Sequence, residues 1–156
     1  MKTTAQTTLQ HVMADPAVDT TLTLVADMVD LPVGTVTKIV ESGLPMMATV
    51  ADADPWVFKA MYARSVKYLP PPTQAFYTKL GKNAAARQAL AADFQLMYGG
   101  MTETITRDAA SQTRTTEAQT SQVLAATMPV VVNAVGKANT NVNEMGFGRQ
   151  LRNLHA

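Results

Sequence analysis

The sequence predicts an all-α protein, a compact bundle of roughly seven to nine short helices forming one domain over residues 1–156. Three observations predict it. Apolar residues recur at the helical period, and strict alternation never persists for more than a few residues. Asp-Pro and Gly steps punctuate the chain where helices start and stop. The composition is rich in Ala, Thr and Met but only 6% aromatic, which suits close helix packing with Met as the adaptable filler.

Taken in order, residues Met1 to Leu9 are polar and lack the apolar stretch of a secretory signal. No apolar run approaches the roughly 18 residues needed to cross a bilayer, so the sequence predicts a cytoplasmic protein without a membrane role. Asp15-Pro16 and Asp54-Pro55 each join an N-cap acceptor to a proline at the first helical position, where a missing N–H costs nothing. From the first, Val18, Leu22, Val25, Ala26 and Val29 fall on one helical stripe. From the second run two stripes, Trp56, Ala60, Ala63 and Lys67, and Val57, Met61 and Tyr68, the latter interrupted by Arg64. Pro70-Pro71-Pro72 stops that helix and predicts a rigid corner between lobes rather than a ligand for a proline-binding domain.

Thr73 then caps a helix carrying Phe76, Tyr77 and Leu80, interrupted near Gly81. Asn83 to Tyr98 is rich in helix formers, with Leu90, Phe94 and Met97 on one face, and Gly99-Gly100 ends it. Thr102 opens the next segment, Thr115 or Thr116 a further one, and a separate helix runs from Pro129 toward Lys137. Val130-Val131-Val132 is the best local strand candidate and is read as buried helix. Asn139 to Asn143 is a polar loop. On either side of it Lys137, Arg149, Arg152 and His155 offer a phosphate or partner contact, and Phe147, Leu151 and Leu154 a docking face. The expectation for this end is a solvated terminal helix.

An offset of 84 residues pairs Val25-Ala26 with Ala109-Ala110, Ile39-Val40 with Val123-Leu124, and Leu44-Pro45-Met46-Met47 with Met128-Pro129-Val130-Val131. The match is one of class and order, and it predicts a tandem duplication, with pseudo-repeats at 20–55 and 104–140 and helix-turn-helix-like units. The rival is a chance likeness between helical segments. In a duplication, each copy's apolar faces need the other copy for burial. The steps Gly43-Leu44-Pro45-Met46-Met47 and Met128 to Lys137 resemble the YidB-like family of bacterial proteins, a domain of unknown function, over roughly 20–55 and 90–140. The resemblance implies an all-α fold and carries no activity with it.

The chemical inventory is thin. There is no cysteine, which removes disulfides, thiolate metal sites and cysteine nucleophiles. His11 and His155 lie near opposite ends, and neither His-x-x-x-His nor Glu-x-x-His spacing occurs. No Gly-x-Ser-x-Gly elbow and no phosphate-cradling glycine loop is present. The sequence therefore assigns no catalytic residue, no metal and no cofactor, and the chain is read as not an enzyme. Among Trp56, Phe58, Tyr62 and Tyr68, with Met61, Phe76 and Tyr77 nearby, core formation is expected over a ligand pocket.

Two binding readings stand. Val25, Ala26, Val29, Asp30, Leu31, Val36 and Ile39 have the apolar spacing of a helix-turn-helix, which would present Thr35, Thr37 and Lys38 to a DNA groove, flanked by Pro32, Val33 and Glu41. Against DNA stand Asp30 at the usual glycine position and a single cation, Lys38, on the reading helix. Residues 1–55 also carry two basic groups and seven acidic, net −5. The remainder carries eleven basic and five acidic, net +6. That asymmetry either marks two solvated surfaces or orients a protein partner or self-association. The function expected is therefore a structural or protein-interaction role, with DNA binding as the alternative.

Overall fold

The computed structural model describes residues 4–67, 74–137 and 144–155, and among them the chain is helical with no strand. The helices are α1 (Thr4–Met13), α2 (Pro16–Val29), α3 (Val33–Ala53), α4 (Pro55–Lys67), α5 (Gln74–Lys82), α6 (Ala84–Tyr98), α7 (Met101–Thr113), α8 (Glu117–Lys137) and α9 (Glu144–His155). The triple proline, Tyr68, Thr73 and the Asn139–Asn143 loop lie outside the described residues.

Caps set many of these boundaries. Asp15 Oδ1 accepts from the N–H of Ala17 at 2.9 Å, and Asp54 Oδ1 from that of Trp56 at 2.9 Å, so each Asp-Pro step starts a helix. Asn83 Oδ1 accepts from Ala86 N–H at 3.1 Å and starts α6. Thr116 and Gln119 form a reciprocal capping box at the head of α8, with bonds of 3.0 and 3.2 Å. Gly99, at φ +56°, ends α6.

The centre of the molecule is α8. Fourteen consecutive residues, Val123 to Gly136, are buried, so this helix is wrapped on every side rather than on one stripe. Val130, Val131 and Val132 lie within it. Helices α2, α4 and α6 supply its largest contacts, with α7, α3 and α9 completing the wrap.

Helices α2–α3 and α7–α8 are related by the same 84-residue offset that pairs their sequences. Moving α3 by 84 gives the bounds of α8, and both helices have 21 residues with a proline at the same register, Pro45 and Pro129. The turns before them match as well. Asp30 and Arg114 both take φ 58°, a left-handed conformation that L-residues rarely adopt. Leu31 N–H donates to Ala26 O and Thr115 N–H to Ala110 O, both at 3.1 Å. The packing is exchanged between the units: α2 lies on α8 while α7 lies on α3, and α4 lies on α8 while α9 lies on α3.

Helix α1, which the sequence reading did not assign, buries Thr8 and Val12. Three expectations need correction. Pro129 does not begin a helix but sits inside α8, as Pro45 sits inside α3. A proline inside a helix leaves the carbonyl four residues back without its N–H donor. For Pro45 that residue is the exposed Glu41, where water is at hand. For Pro129 it is Ala125 in the core, and there the Tyr77 hydroxyl donates to the adjacent carbonyl of Ala126 at 3.0 Å. The C-terminal helix is not solvated: Phe147, Leu151 and Leu154 are buried, and α9 packs along α3 and α1. Trp56 does not enter the core and is 75% exposed. It occupies the first turn of α4, opposite the face that Val57 and Met61 bury.

Among the described residues no helix is long and apolar enough to cross a membrane.

Candidate functional site

The α2–turn–α3 unit places the sequence-predicted residues on one helix but not on one face. Thr35 and Lys38 are three apart and neighbours, whereas Thr37 points away from Thr35. Thr37 is half-buried, and its hydroxyl donates to Val33 O at 2.8 Å, so its proton is engaged in its own helix. Thr35 is half-buried and Lys38 exposed. The exposed carboxylates of Asp27, Asp30 and Glu41 flank that one cation in sequence. A surface that reads DNA needs several cations on the backbone and forked donors on the base edges. This one offers one ammonium among three carboxylates.

A polar cluster lies where α4, α6 and α8 meet, and sequence reasoning missed it. Arg64 donates from Nε to Asp93 Oδ2 at 2.8 Å and from Nη2 to Asp93 Oδ1 at 2.6 Å, a forked pair joining α4 to α6. Its Nη1 donates to Ala60 O at 2.9 Å. Nearby, Asn133 of α8 donates from Nδ2 to Ser65 O at 3.4 Å, while its Oδ1 and the Tyr98 hydroxyl are buried without a hydrogen-bond partner. Burial pushes the Tyr98 phenol well above its ordinary value, and the Arg64 charge opposes that shift. Ser65 donates to Tyr62 O at 2.6 Å, so its hydroxyl is tied to its own helix. The cluster joins three helices and contains no paired nucleophile and base. Its only signal in the sequence was Arg64 breaking an apolar stripe.

A cavity of about 50 Å³ is enclosed between α2, α5, α6 and α8 by Met28, Leu80, Leu90, Ala125 and Ala126, with Arg87 beside it. Ligand clefts measure roughly 300–1,000 Å³, so this is a packing void. Arg87 has a structural task there: its Nη1 donates to Leu80 O at 3.0 Å and Gly81 O at 2.8 Å, capping the end of α5.

A further candidate is a surface groove between α4 and α9. Its floor is Phe58 and Gly148, and its walls are Glu144, Met145, Arg149 and Arg152, around a space of about 360 Å³. Phe58 is held by Phe147, ring centroids 5.9 Å apart, and Tyr62 lies 5.8 Å from the same ring. Gly148 lets α9 approach closely: a Cβ there would stand 3.2 Å from the Phe58 ring. Met145, Arg149 and Arg152 recur at helical spacing and form one exposed stripe of α9, with Met145 at 76% exposure. Helix α4 carries Lys59, Arg64 and Lys67 and no carboxylate. Among the described residues, no group of three His, Asp or Glu side chains is arranged to hold a metal ion.

No family model, curated protein or solved structure matches this chain.

Proposed function

We propose that this chain is a non-enzymatic, cytoplasmic structural or protein-interaction protein. The observation that carries the proposal is the pair Trp56 and Met145, each about three-quarters exposed, at the first turns of α4 and α9. A large apolar side chain on the rim of a groove, as Met145 is, offers a surface that a partner can cover. The engaged or isolated state of the polar groups elsewhere supports the same reading.

The matched units bear on self-association. We infer that α2–α3 and α7–α8 descend from one unit by duplication, and the likeness to the YidB-like family belongs to the same inference. A single unit exposes apolar faces that a second copy would cover; here the exchange of helices covers them within one chain. Contacts with other molecules then fall to surfaces outside that exchange, and the α4–α9 groove is one. Light scattering with chemical cross-linking tests the function. Complexes or self-assemblies that weaken in a Trp56→Ser, Met145→Ser variant support it. A strict monomer with no cross-linked partner overturns it.

The alternative is DNA binding through Thr35, Thr37 and Lys38, and the tight left-handed turn at Asp30 before α3 favours it. It requires affinity that falls steeply with salt and weakens on Lys38→Ala. No mobility shift with mixed-sequence DNA at low salt removes this alternative.

A further inference from the structure

We propose that the α4–α9 groove docks an acidic segment of a partner protein, with a carboxylate held by Arg149 and Arg152 and an adjoining apolar side chain seated on Phe58 and Met145. The proposal rests on the protein-interaction reading and names its partner. Arg149 and Arg152 are exposed, three apart on one helix, and neither takes part in an ion pair among the described residues. A planar guanidinium matches a carboxylate with two parallel hydrogen bonds, so two of them on one wall favour an acidic ligand. The floor is apolar and fixed, because Phe58 is braced by Phe147 and closed off by Gly148. At about 360 Å³ the groove takes a few side chains of an extended segment rather than a helix or a folded domain.

Two features decide the class of partner. The groove is concave and mixes apolar and cationic walls over a short distance, which suits an alternating sequence such as Asp-Leu-Glu. Glu144 stands on its wall and would face the dense phosphates of an anionic bilayer, whereas a peptide can place a neutral residue opposite it. Beyond the groove, α4 carries an exposed Lys59 and no carboxylate, and its cap residue Asp54 is engaged by the N–H of Trp56.

The chain's only tryptophan, Trp56, lies two residues from Phe58 and serves as a reporter. The whole protein is titrated with a synthetic peptide of repeated Asp-Leu-Glu-Phe, followed by Trp56 emission and by calorimetry. The same peptide with Lys in place of its acids is the control. The expected result is saturable binding, weakened at least about tenfold by the double change Arg149→Gln, Arg152→Gln, by the Lys control peptide and by raising salt from about 50 to about 500 mM. Both arginines are exposed, so helical dichroism and the urea midpoint should not change, and Met145→Ser gives a second variant that weakens binding through the apolar wall without adding charge. No binding of the acidic peptide, binding indifferent to the arginine changes, or tighter binding to phosphatidylglycerol vesicles overturns the proposal. If the peptide fails while cross-linked complexes still depend on Trp56 and Met145, the partner class is wrong and the interaction role stands. If both fail, the role falls too.

Discussion

Gly43→Ala puts two known effects into opposition at the point where α3 crosses α8. In an exposed helix, replacing glycine by alanine gains about 1 kcal/mol through backbone entropy and propensity. Gly43 is buried, and a Cβ built there would stand 2.7 Å from Leu124 Cδ2 and 3.4 Å from Cδ1. Leu124 is itself 2% exposed, so its methyl groups have little room to retreat. Forcing a methyl into a filled core costs about 1–3 kcal/mol, so the substitution is expected to be destabilising by up to about 2 kcal/mol. Urea unfolding followed by far-ultraviolet dichroism measures this directly, provided that the slope with urea is unchanged. Leu124→Ala alone should cost about 2–5 kcal/mol through the cavity it leaves. In that background Gly43→Ala should change sign, because the clash is gone and part of the void is filled. Stabilisation by Gly43→Ala in the wild-type background, or a penalty that persists beside Ala at 124, would show that α3 and α8 do not meet there.

Other outcomes follow from the polar cluster and the proline turn. Arg64→Ala, Asp93→Ala and the double variant form a cycle whose coupling should be about 1–3 kcal/mol, since the forked pair is only 16% and 25% exposed; a coupling near zero would refute a forked bond. The Tyr98 phenol stays neutral in the fold to higher pH than in the unfolded chain, where it ionises near 10.0. Its contribution is therefore intact below that value and is lost as pH rises toward the folded value. Tyr98→Phe should flatten the loss of stability above about pH 10 and leave stability at neutral pH within about 1 kcal/mol of wild type or above it, since the deleted hydroxyl has no partner; an unchanged alkaline limb in urea titrations counts against this. Tyr77→Phe should cost about 0.5–1.5 kcal/mol by removing the buried bond to Ala126 O, and an unchanged urea midpoint would count against that bond.

How far the sequence could be read depended on whether the deciding interaction was local. Asp15-Pro16, Asp54-Pro55 and Asn83 start helices through bonds spanning two or three residues, so each start was legible. The turn at Asp30 was legible because aspartate tolerates the left-handed region. Its counterpart Arg114 carried no such signal, since arginine takes that conformation only where the surrounding helices impose it. Pro129 read as a break because propensity counts the lost hydrogen bond but cannot see the tertiary burial that outweighs it. Trp56 was assigned to the core on size alone, whereas its place at the start of α4 turns it away from Val57 and Met61. Of the α4–α9 groove, Arg149 and Arg152 were visible as cations and Phe147 as a docking side chain. Their meeting with Phe58, some ninety residues earlier, was set by the exchange of α4 and α9 across the molecule. Lys137 was weighed as a binding cation, yet it pairs with Asp15 at 3.6 Å, a contact between distant parts of the chain.

The wrapping of α8 on all sides also has a consequence during synthesis. The apolar faces of α2, α4 and α6 leave the ribosome well before the segment from Val123 to Gly136 that is to fill the space between them. Until then the nascent chain has walls and no central pillar, and its exposed valines and methionines are open to wrong partners. Completion should therefore come late and in one cooperative step, so that a message truncated ahead of Glu117 would yield a product for proteases rather than a smaller stable protein.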